Sequence, residues 1–190
     1  AKVQAVIYLS MSGAPPQQEL FDYKPELVKY HLKDCPEEYL KGQTFAFIKV
    51  GMTEIDIADY MHNLMKEYGV GFAWPSENNP AVNSGPNKIV GHNGPMDIKV
   101  EHGHIIHFDF GVKYEGYCSD IQRVCYVLRE GEDEAPLEVQ RGFITIRTAI
   151  EKSREAMKIG TAGKEVDIIS RDIVTDSGYP EFNYALGHQL

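Results

Sequence analysis

The sequence predicts a mixed α/β (α+β) domain in which helices accompany an antiparallel sheet, and three observations predict it. Apolar residues at helical spacing between Ile55 and Tyr68 indicate an amphipathic helix. The stretch HFDFGVKYEGYCSD, residues 107–120, has the pattern of a tight β-hairpin. A helical segment that follows a glycine turn occurs twice, which indicates that an α-then-β unit is duplicated.

The composition is that of a globular protein with one sizeable core or two small ones. Of the 190 residues, 43% are hydrophobic and 25% are charged, and the formal net charge is -9. The sequence has no run rich in Lys or Arg, so nucleic acid and anionic membranes are not expected partners. It also has no apolar run near the roughly 18 residues of a membrane span. Cys35, Cys118 and Cys125 lack a CxxC pair and favour reduced thiols in the cytoplasm.

The first part of the chain is expected to begin with a strand and a linker rich in Pro, Gly and Ser, which together occupy residues 1–24. Residues 25–47 have a helical pattern. A further helix is expected to begin after Thr53, a suitable N-cap with Asp56 three residues on, and to end at Gly69. Its apolar stripe comprises Ile55, Ala58, Met61, Met65 and Tyr68.

The rest of the chain is expected to contain a long loop, three strands and two long helices. Residues 74–88 are rich in Asn, Pro and Gly, and loops of this length often carry function. The strands are expected near residues 98–100, 104–112 and 117–128. The helices are expected near residues 137–157 and 163–177.

The internal repeat relates two helical segments and the turns that flank them. Residues 49–51, 54–57 and 68–69 match residues 158–160, 165–168 and 177–178, with an offset of 109 at both ends and 111 in the middle. Amphipathic helices after a glycine turn resemble one another, which is the alternative to duplication. If the duplication is real, the second unit ends 12 residues after its last glycine and is expected to lack its hairpin.

The hairpin carries an aspartate on each arm. With its turn between Tyr114 and Glu115, Asp109 would lie opposite Asp120, and Ile106, Phe108, Phe110 and Val112 would form the buried face. Directly opposed side chains have Cβ atoms roughly 4.5–5.5 Å apart, so the two carboxylates would repel. Screening by water, neutralisation by Arg123 or binding of divalent cations could each offset this repulsion, although alternation turns Arg123 to the other face.

A metal site would also use nitrogen ligands, and several histidines are candidates. His92 and His188 each follow a glycine, which allows the backbone to approach a ligand closely. His102 and His104 are expected to be packed or solvent-facing residues. His107 lies on the predicted strand, on the same face as Asp109.

The segments IIHFDFGVKYEGYCSDIQRVCYV, IVGHNGP and EFNYALGHQL resemble the pita-bread metallopeptidases, which include methionine aminopeptidase, aminopeptidase P, Xaa-Pro dipeptidase and creatinase. The resemblance covers residues 25–190 and is nearest to the Xaa-Pro peptidases. It implies a duplicated αβ pita-bread fold with an antiparallel sheet, incomplete at the C-terminus, in which residues 25–190 form the catalytic domain without its last hairpin. It also implies that residues 1–24 are the strand and linker that remain from an N-terminal domain.

The resemblance also implies a set of functional residues. Asp109, Asp120 and His188 match three ligands of a site for two divalent metal ions, Mn, Co, Fe or Zn, with one aspartate bridging both ions. His92 matches the histidine that contacts the substrate near the scissile amide and acts in catalysis. The two glutamate ligands of the family lie beyond the Gly-His motif and have no counterpart in this chain. Val124 departs from the threonine that is usual in the family.

The function implied is that of a metal-dependent exopeptidase that hydrolyses the N-terminal bond of small peptides, with Xaa-Pro peptides as substrates. The expected partners are a peptide substrate and a second copy in a homodimer, without nucleic acid or membrane. Three alternatives remain open: a non-catalytic pita-bread module that binds peptides or proteins, a creatinase-like C–N hydrolase, and a structural hairpin without a site.

Overall fold

The computed structural model of the chain describes residues 5–9, 48–86 and 93–182. The helix expected at residues 25–47 lies outside the described residues, as do His92 and His188. The described elements are β1 (Ala5–Leu9), α1 (Glu54–Glu67), β2 (Gly71–Phe72), β3 (Ala81–Ser84), β4 (Ile105–Phe110), β5 (Val112–Tyr114), β6 (Tyr117–Cys118), β7 (Ile121–Val127), α2 (Leu137–Ala156) and α3 (Gly163–Asp176), with a short 3₁₀ turn at Ser76–Asn78.

The strands form two antiparallel sheets, which confirms the mixed fold class. The larger sheet has the order β1-β7-β4-β3, and the smaller has the order β2-β5-β6. The hairpin contributes to both sheets, because β4 continues into β5 on one arm and β6 continues into β7 on the other. Strand β1 pairs with β7 in the larger sheet, and the domain boundary after residue 24 stays a prediction.

The main core lies between α1 and one face of the larger sheet. Ile106 and Phe108 of β4 are buried in it, which confirms the inner face expected from alternation, whereas Phe110 and Val112 are only half-buried. Each fully buried side chain of this size contributes roughly 1.5–3 kcal/mol through removal of apolar surface from water. The cluster comprises Ile48, Ile57, Ala58, Val82, Val100, Ile106, Phe108, Cys125 and Val127.

Helix α1 begins at its expected cap. Thr53 Oγ1 accepts from Asp56 N at 3.0 Å, and Asp56 Oδ2 accepts from Thr53 N at 2.8 Å, which completes a capping box. Hydrogen bonds from the backbone and the side chain of Thr53 to the Asp56 carboxyl lower its pKa, because they stabilise its charged form. The cap also anchors the start of the helix beside residues 98–100, where Thr53 and Lys99 form an isolated bridge instead of the expected strand.

The buried face of α1 agrees with the middle of the predicted stripe and differs at its two ends. Ile55 and Tyr68 are exposed by 42% and 75%, whereas Ile57 and Glu54 are fully buried. The Glu54 carboxylate points inward and accepts from Ser84 N at 2.7 Å and from Met96 N at 2.8 Å. The predicted stripe is therefore confirmed at Ala58, Met61 and Met65 and wrong at Ile55 and Tyr68, because the two bonds of Glu54 bring the start of the helix to the core through a charged residue.

The two helices of the repeat correspond at a single offset. Helices α1 and α3 both have 14 residues and begin 109 positions apart, and Gly51 and Gly160 have φ angles of +93° and +92°. At this offset buried Ile57 aligns with buried Val166. The offset of 111 in the middle of the repeat was therefore wrong. The similar residues 54–57 and 165–168 occupy positions in the two helices that differ by two residues.

The remaining differences concern the segment that was expected to be a loop. Residues 74–88 include the 3₁₀ turn and strand β3, and all four residues of β3 are buried. The C-terminal helices follow the prediction to within one residue at each end. Among the described residues, no helix has both the length and the apolar character needed to cross a membrane.

Candidate active site

The hairpin turns one residue later than a pairing of Asp109 with Asp120 would require, which shifts the partner of Asp109 by two residues. Asp109 lies opposite Gln122, and Tyr114 lies opposite Tyr117, so Glu115 and Gly116 form the turn. Their φ angles are +49° and +87°, as a two-residue type I′ turn demands, and glycine adopts this conformation at little steric cost. The predicted turn between Tyr114 and Glu115 is wrong for this reason, and so is the direct pairing of the two aspartates.

The corrected register still places both aspartates on one face of the hairpin. The register is the same on either side of residues 111 and 120, so Asp120 lies across from Gly111 and diagonal to Asp109. Diagonal neighbours on paired strands are roughly 7–8 Å apart, which is farther than direct partners. The two carboxylates therefore repel each other less than directly opposed aspartates would.

Gly111 interrupts the regular pairing of the hairpin at this point. A β-carbon at Gly111 would lie 2.3 Å from Ser119 O and 2.3 Å from Trp74 Cζ3. The Asn79 side chain binds the Gly111 backbone on both sides: Asn79 Nδ2 donates to Gly111 O at 2.6 Å, and Gly111 N donates to Asn79 Oδ1 at 3.2 Å. The segment before β3 thus holds the backbone between the two aspartates.

Asp109 belongs to a polar network on an otherwise tightly packed sheet. Asp109 is only 7% exposed, and its Oδ2 accepts from Gln122 Nε2 at 3.3 Å. Gln122 Oε1 lies 2.9 Å from His107 Nε2, and His107 Nδ1 lies 3.3 Å from Asn83 Nδ2. Because Asp109 is buried, bulk water does not offset the repulsion at its carboxylate. Asp120 is half-buried.

The register also decides the position of Arg123. Arg123 lies opposite Phe108, on the face that turns to the core, and its Nη1 donates to Gln122 O at 2.7 Å. This agrees with the alternation predicted from the sequence. Its place in the register therefore gives no support to neutralisation of the aspartate pair by Arg123.

The oxygen atoms around Asp109 suit a hard divalent cation as ligands. Carboxylate and amide oxygens are the ligands that such ions prefer. Asn83 Oδ1 is buried and has no hydrogen-bond partner among the residues that the structure describes. A buried carbonyl oxygen is costly unless something satisfies it, so this face can accept a further donor or cation. Across residues 48–86 and 93–182, however, no group of three or more His, Cys, Asp or Glu side chains is placed to hold a metal.

Asp109 and Asp120 are the two predicted site residues that the structure describes. The structure brings them to one face of the hairpin, while His92 and His188 lie outside the described residues. Sequence reasoning missed Asn83, because its strand was taken for a loop. Alternation had put Gln122 on the same face as Asp109, but no sequence pattern indicates that the two are hydrogen-bonded.

Comparisons with known proteins agree with this architecture. Metallopeptidase family M24 matches residues 38–190. An uncharacterized peptidase of Staphylococcus aureus is 31% identical over 146 residues, which are 76% of this chain and 39% of that protein. The X-Pro aminopeptidase of Thermotoga maritima superposes with a TM-score of 0.61 at 33% identity, covering 70% of this chain and 35% of that one.

A second solved structure extends the similarity along more of the chain. The prolidase of Pyrococcus horikoshii has a TM-score of 0.66 at 26% identity, and the match covers 90% of this chain and 48% of the prolidase. The chain spans less than half the length of each of these relatives.

Proposed function

Because the chain belongs to metallopeptidase family M24, we propose that the protein is a metal-dependent exopeptidase that hydrolyses the N-terminal bond of small peptides. We further propose Xaa-Pro peptides as its substrates. The X-Pro aminopeptidase and the prolidase that resemble this chain at 33% and 26% identity support this specificity.

The observation that carries the proposal is the position of Asp109 and Asp120 on one face of the hairpin, beside a buried polar network. In the proposed site these carboxylates and His188 hold two divalent ions, Mn, Co, Fe or Zn. When bound, such ions supply a Lewis acid and a water of lowered pKa. The remaining work falls to the protein, which must orient the carboxylates and position the peptide.

The described residues perform the first of these tasks. Gln122 donates to Asp109 Oδ2, and Asn79 fixes the backbone at Gly111 between the two aspartates. A preorganised set of ligands loses little free energy in rearrangement when it binds. For the second task we propose His92, which would contact the substrate near the scissile amide and stabilise the developing oxyanion.

Substitution of the proposed ligands tests the function. In the longest natural form of the protein, prepared metal-free and reloaded with Mn²⁺ or Co²⁺, Asp109→Asn and Asp120→Asn are each expected to lower kcat/KM on Xaa-Pro dipeptides. The loss should exceed about 100-fold, since even outer partners of metal ligands are worth 10–100-fold. Asp133→Asn, at an exposed aspartate in the turn before α2, is the matched control and should leave activity unchanged.

Elemental analysis of the same preparation separates the alternatives. We expect about two metal ions per chain, and hydrolysis that disappears with the metal and returns on its addition. Full activity in either aspartate variant would contradict the proposed ligands. Peptide binding without hydrolysis or metal would instead favour a non-catalytic module, and C–N hydrolysis without metal would favour a creatinase-like enzyme.

The setting of the enzyme is also proposed. Cys118 and Cys125 are free thiols, in line with the reducing cytoplasm that we propose as its location. A homodimer is the proposed assembly, which light scattering of the purified protein would test.

A further inference from the structure

We propose that Asn83, His107 and Gln122 are positioning residues that form a one-directional hydrogen-bond chain ending on Asp109. This chain would fix the orientation of the Asp109 carboxylate toward the bound metal. The inference rests on the proposed function, because it takes Asp109 as a metal ligand. It assigns a task to three residues that need not themselves contact metal or substrate.

The direction of the chain follows from its end at Asp109. An ionised carboxylate only accepts hydrogen bonds, so the group of Gln122 that lies 3.3 Å from Asp109 Oδ2 must be the amide NH₂. Gln122 then presents its carbonyl oxygen Oε1 to His107 Nε2, 2.9 Å away. A carbonyl oxygen also only accepts, so His107 Nε2 must carry a proton.

The other ring nitrogen extends the chain by one residue. In the neutral ring Nδ1 is an acceptor once Nε2 is protonated, and Asn83 Nδ2 lies 3.3 Å from it. Three donors therefore point the same way, from Asn83 through His107 and Gln122 to Asp109. Aligned hydrogen bonds polarise one another in a low-dielectric interior, so each bond strengthens the next.

The sheet register builds the chain into the fold. Asn83 on β3 lies directly opposite His107 on β4, and Asp109 on β4 lies directly opposite Gln122 on β7. The bond between His107 and Gln122 runs along the diagonal and joins the two pairs. Both ends of the chain are buried, since Asn83 and Asp109 are 3% and 7% exposed. The hydrogen-bond chain therefore spans three adjacent strands, β3, β4 and β7.

The metal affinity of variants, measured in the longest natural form of the protein, tests the positioning role of the hydrogen-bond chain. Gln122→Met keeps the length of the side chain and removes its donor, and it should weaken Co²⁺ binding by about 10–100-fold in calorimetric titration. His107→Leu should weaken binding less, and Asn83→Leu least, because each lies one bond farther from Asp109. His107→Gln returns an N–H near the position of Nε2 and should restore most of the affinity.

The control is a histidine that does not belong to this hydrogen-bond chain. His104 Nδ1 is hydrogen-bonded to Ser84 Oγ and to Glu101 N, so His104→Leu removes comparable bonds from the same sheet. It should lower thermal stability without weakening Co²⁺ binding. In ¹⁵N-histidine NMR spectra of the metal-free protein, the His107 ring should carry a proton on Nε2, a readout that needs neither metal nor activity.

The outcomes separate this inference from the proposed function. If Asp109→Asn abolishes Co²⁺ binding but Gln122→Met binds as tightly as the unsubstituted protein, the chain has no positioning role. An unprotonated Nε2 would overturn the direction of the chain. Equal losses of Co²⁺ affinity in His107→Leu and His104→Leu would show that the hydrogen-bond chain only stabilises the fold. Failure of the unsubstituted protein to bind metal would overturn the proposed function and this inference together.

Discussion

At Gly111 the hairpin leaves regular pairing, and the missing side chain makes this possible. Backbone of the opposite arm and the Trp74 ring occupy the space that a β-carbon would need. The close approach positions the backbone between Asp109 and Asp120, so a single hydrogen at this position helps to determine where the two carboxylates lie. Gly111 therefore links the packing of the hairpin directly to its proposed chemistry.

Substitution of Gly111 tests this link. We expect Gly111→Ala to destabilise the protein by about 1–3 kcal/mol or more, because the Cβ meets Ser119 O, a backbone atom that cannot turn aside. Urea unfolding would measure the change. Gly163→Ala is the matched control, since a Cβ there meets nothing within 4 Å, and it should be neutral or slightly stabilising. Equal stability of the two variants would contradict the tight approach at Gly111.

Cys125 provides a second test, which depends on pH. Burial in the core raises the pKa of its thiol from 9.0 to about 12. A folded pKa above the unfolded value gives a contribution that is fully present below about pH 9 and is lost as the pH rises toward 12. The folded protein should therefore leave Cys125 unmodified by iodoacetamide at pH 8, while half-buried Cys118 reacts.

Peptide mapping by mass spectrometry distinguishes the two thiols. Above pH 9, unfolding experiments on Cys125→Ala should show a weaker loss of stability with pH than the unsubstituted protein does. Rapid modification of Cys125 in the native state would contradict its place in the core.

At the scale of elements, the two helices of the repeat differ in how they begin. Helix α1 has a complete capping box, whereas in α3 the Glu165 carboxylate accepts from Ala162 N at 3.3 Å and Ala162 has no side-chain oxygen to complete the pair. The duplicated unit thus retains the acidic half of the cap in both copies. The difference predicts opposite effects of substitution at the two N-caps.

We expect Thr53→Ala to destabilise the protein by about 1 kcal/mol and Ala162→Ser to stabilise it by a similar amount. Chemical denaturation at pH 7 would measure both. The Asp56 pKa is lowered in the folded protein, so its contribution is present above its unfolded pKa and is lost as the pH falls through the folded value. Thr53→Ala should therefore flatten the acid side of the stability profile. Destabilisation by Ala162→Ser would contradict the assigned helix start.

At the scale of the whole molecule, periodicity was sufficient for some features and not for others. Alternation along the chain correctly placed Ile106 and Phe108 in the core and both aspartates on one face, because period-2 patterning survives an error of two residues in register. The register itself depended on a turn that needs positive φ angles at Glu115 and Gly116. Turn chemistry, rather than hydrophobicity, was the missing information.

Long-range hydrogen bonds account for most of the remaining differences. Glu54 is buried at the start of α1 because it is bonded to residues 30 and 42 positions away, which no local pattern contains. Strand β3 is short and lies among Asn, Pro and Gly residues, so its pairing with β4 could not be recognised from composition. The network at Asp109 joins β3, β4 and β7, and it becomes visible only when the strands are assembled.

We propose above all that Asp109 and Asp120 bind the catalytic metal of an M24 peptidase. Anomalous scattering from crystals of the longest natural form of the protein, grown with Mn²⁺, tests it most directly. We expect two anomalous peaks, roughly 3.5–4 Å apart, within bonding distance of both carboxylates. An anomalous map without a peak at these aspartates, from crystals of a protein that hydrolyses Xaa-Pro peptides, would contradict the claim.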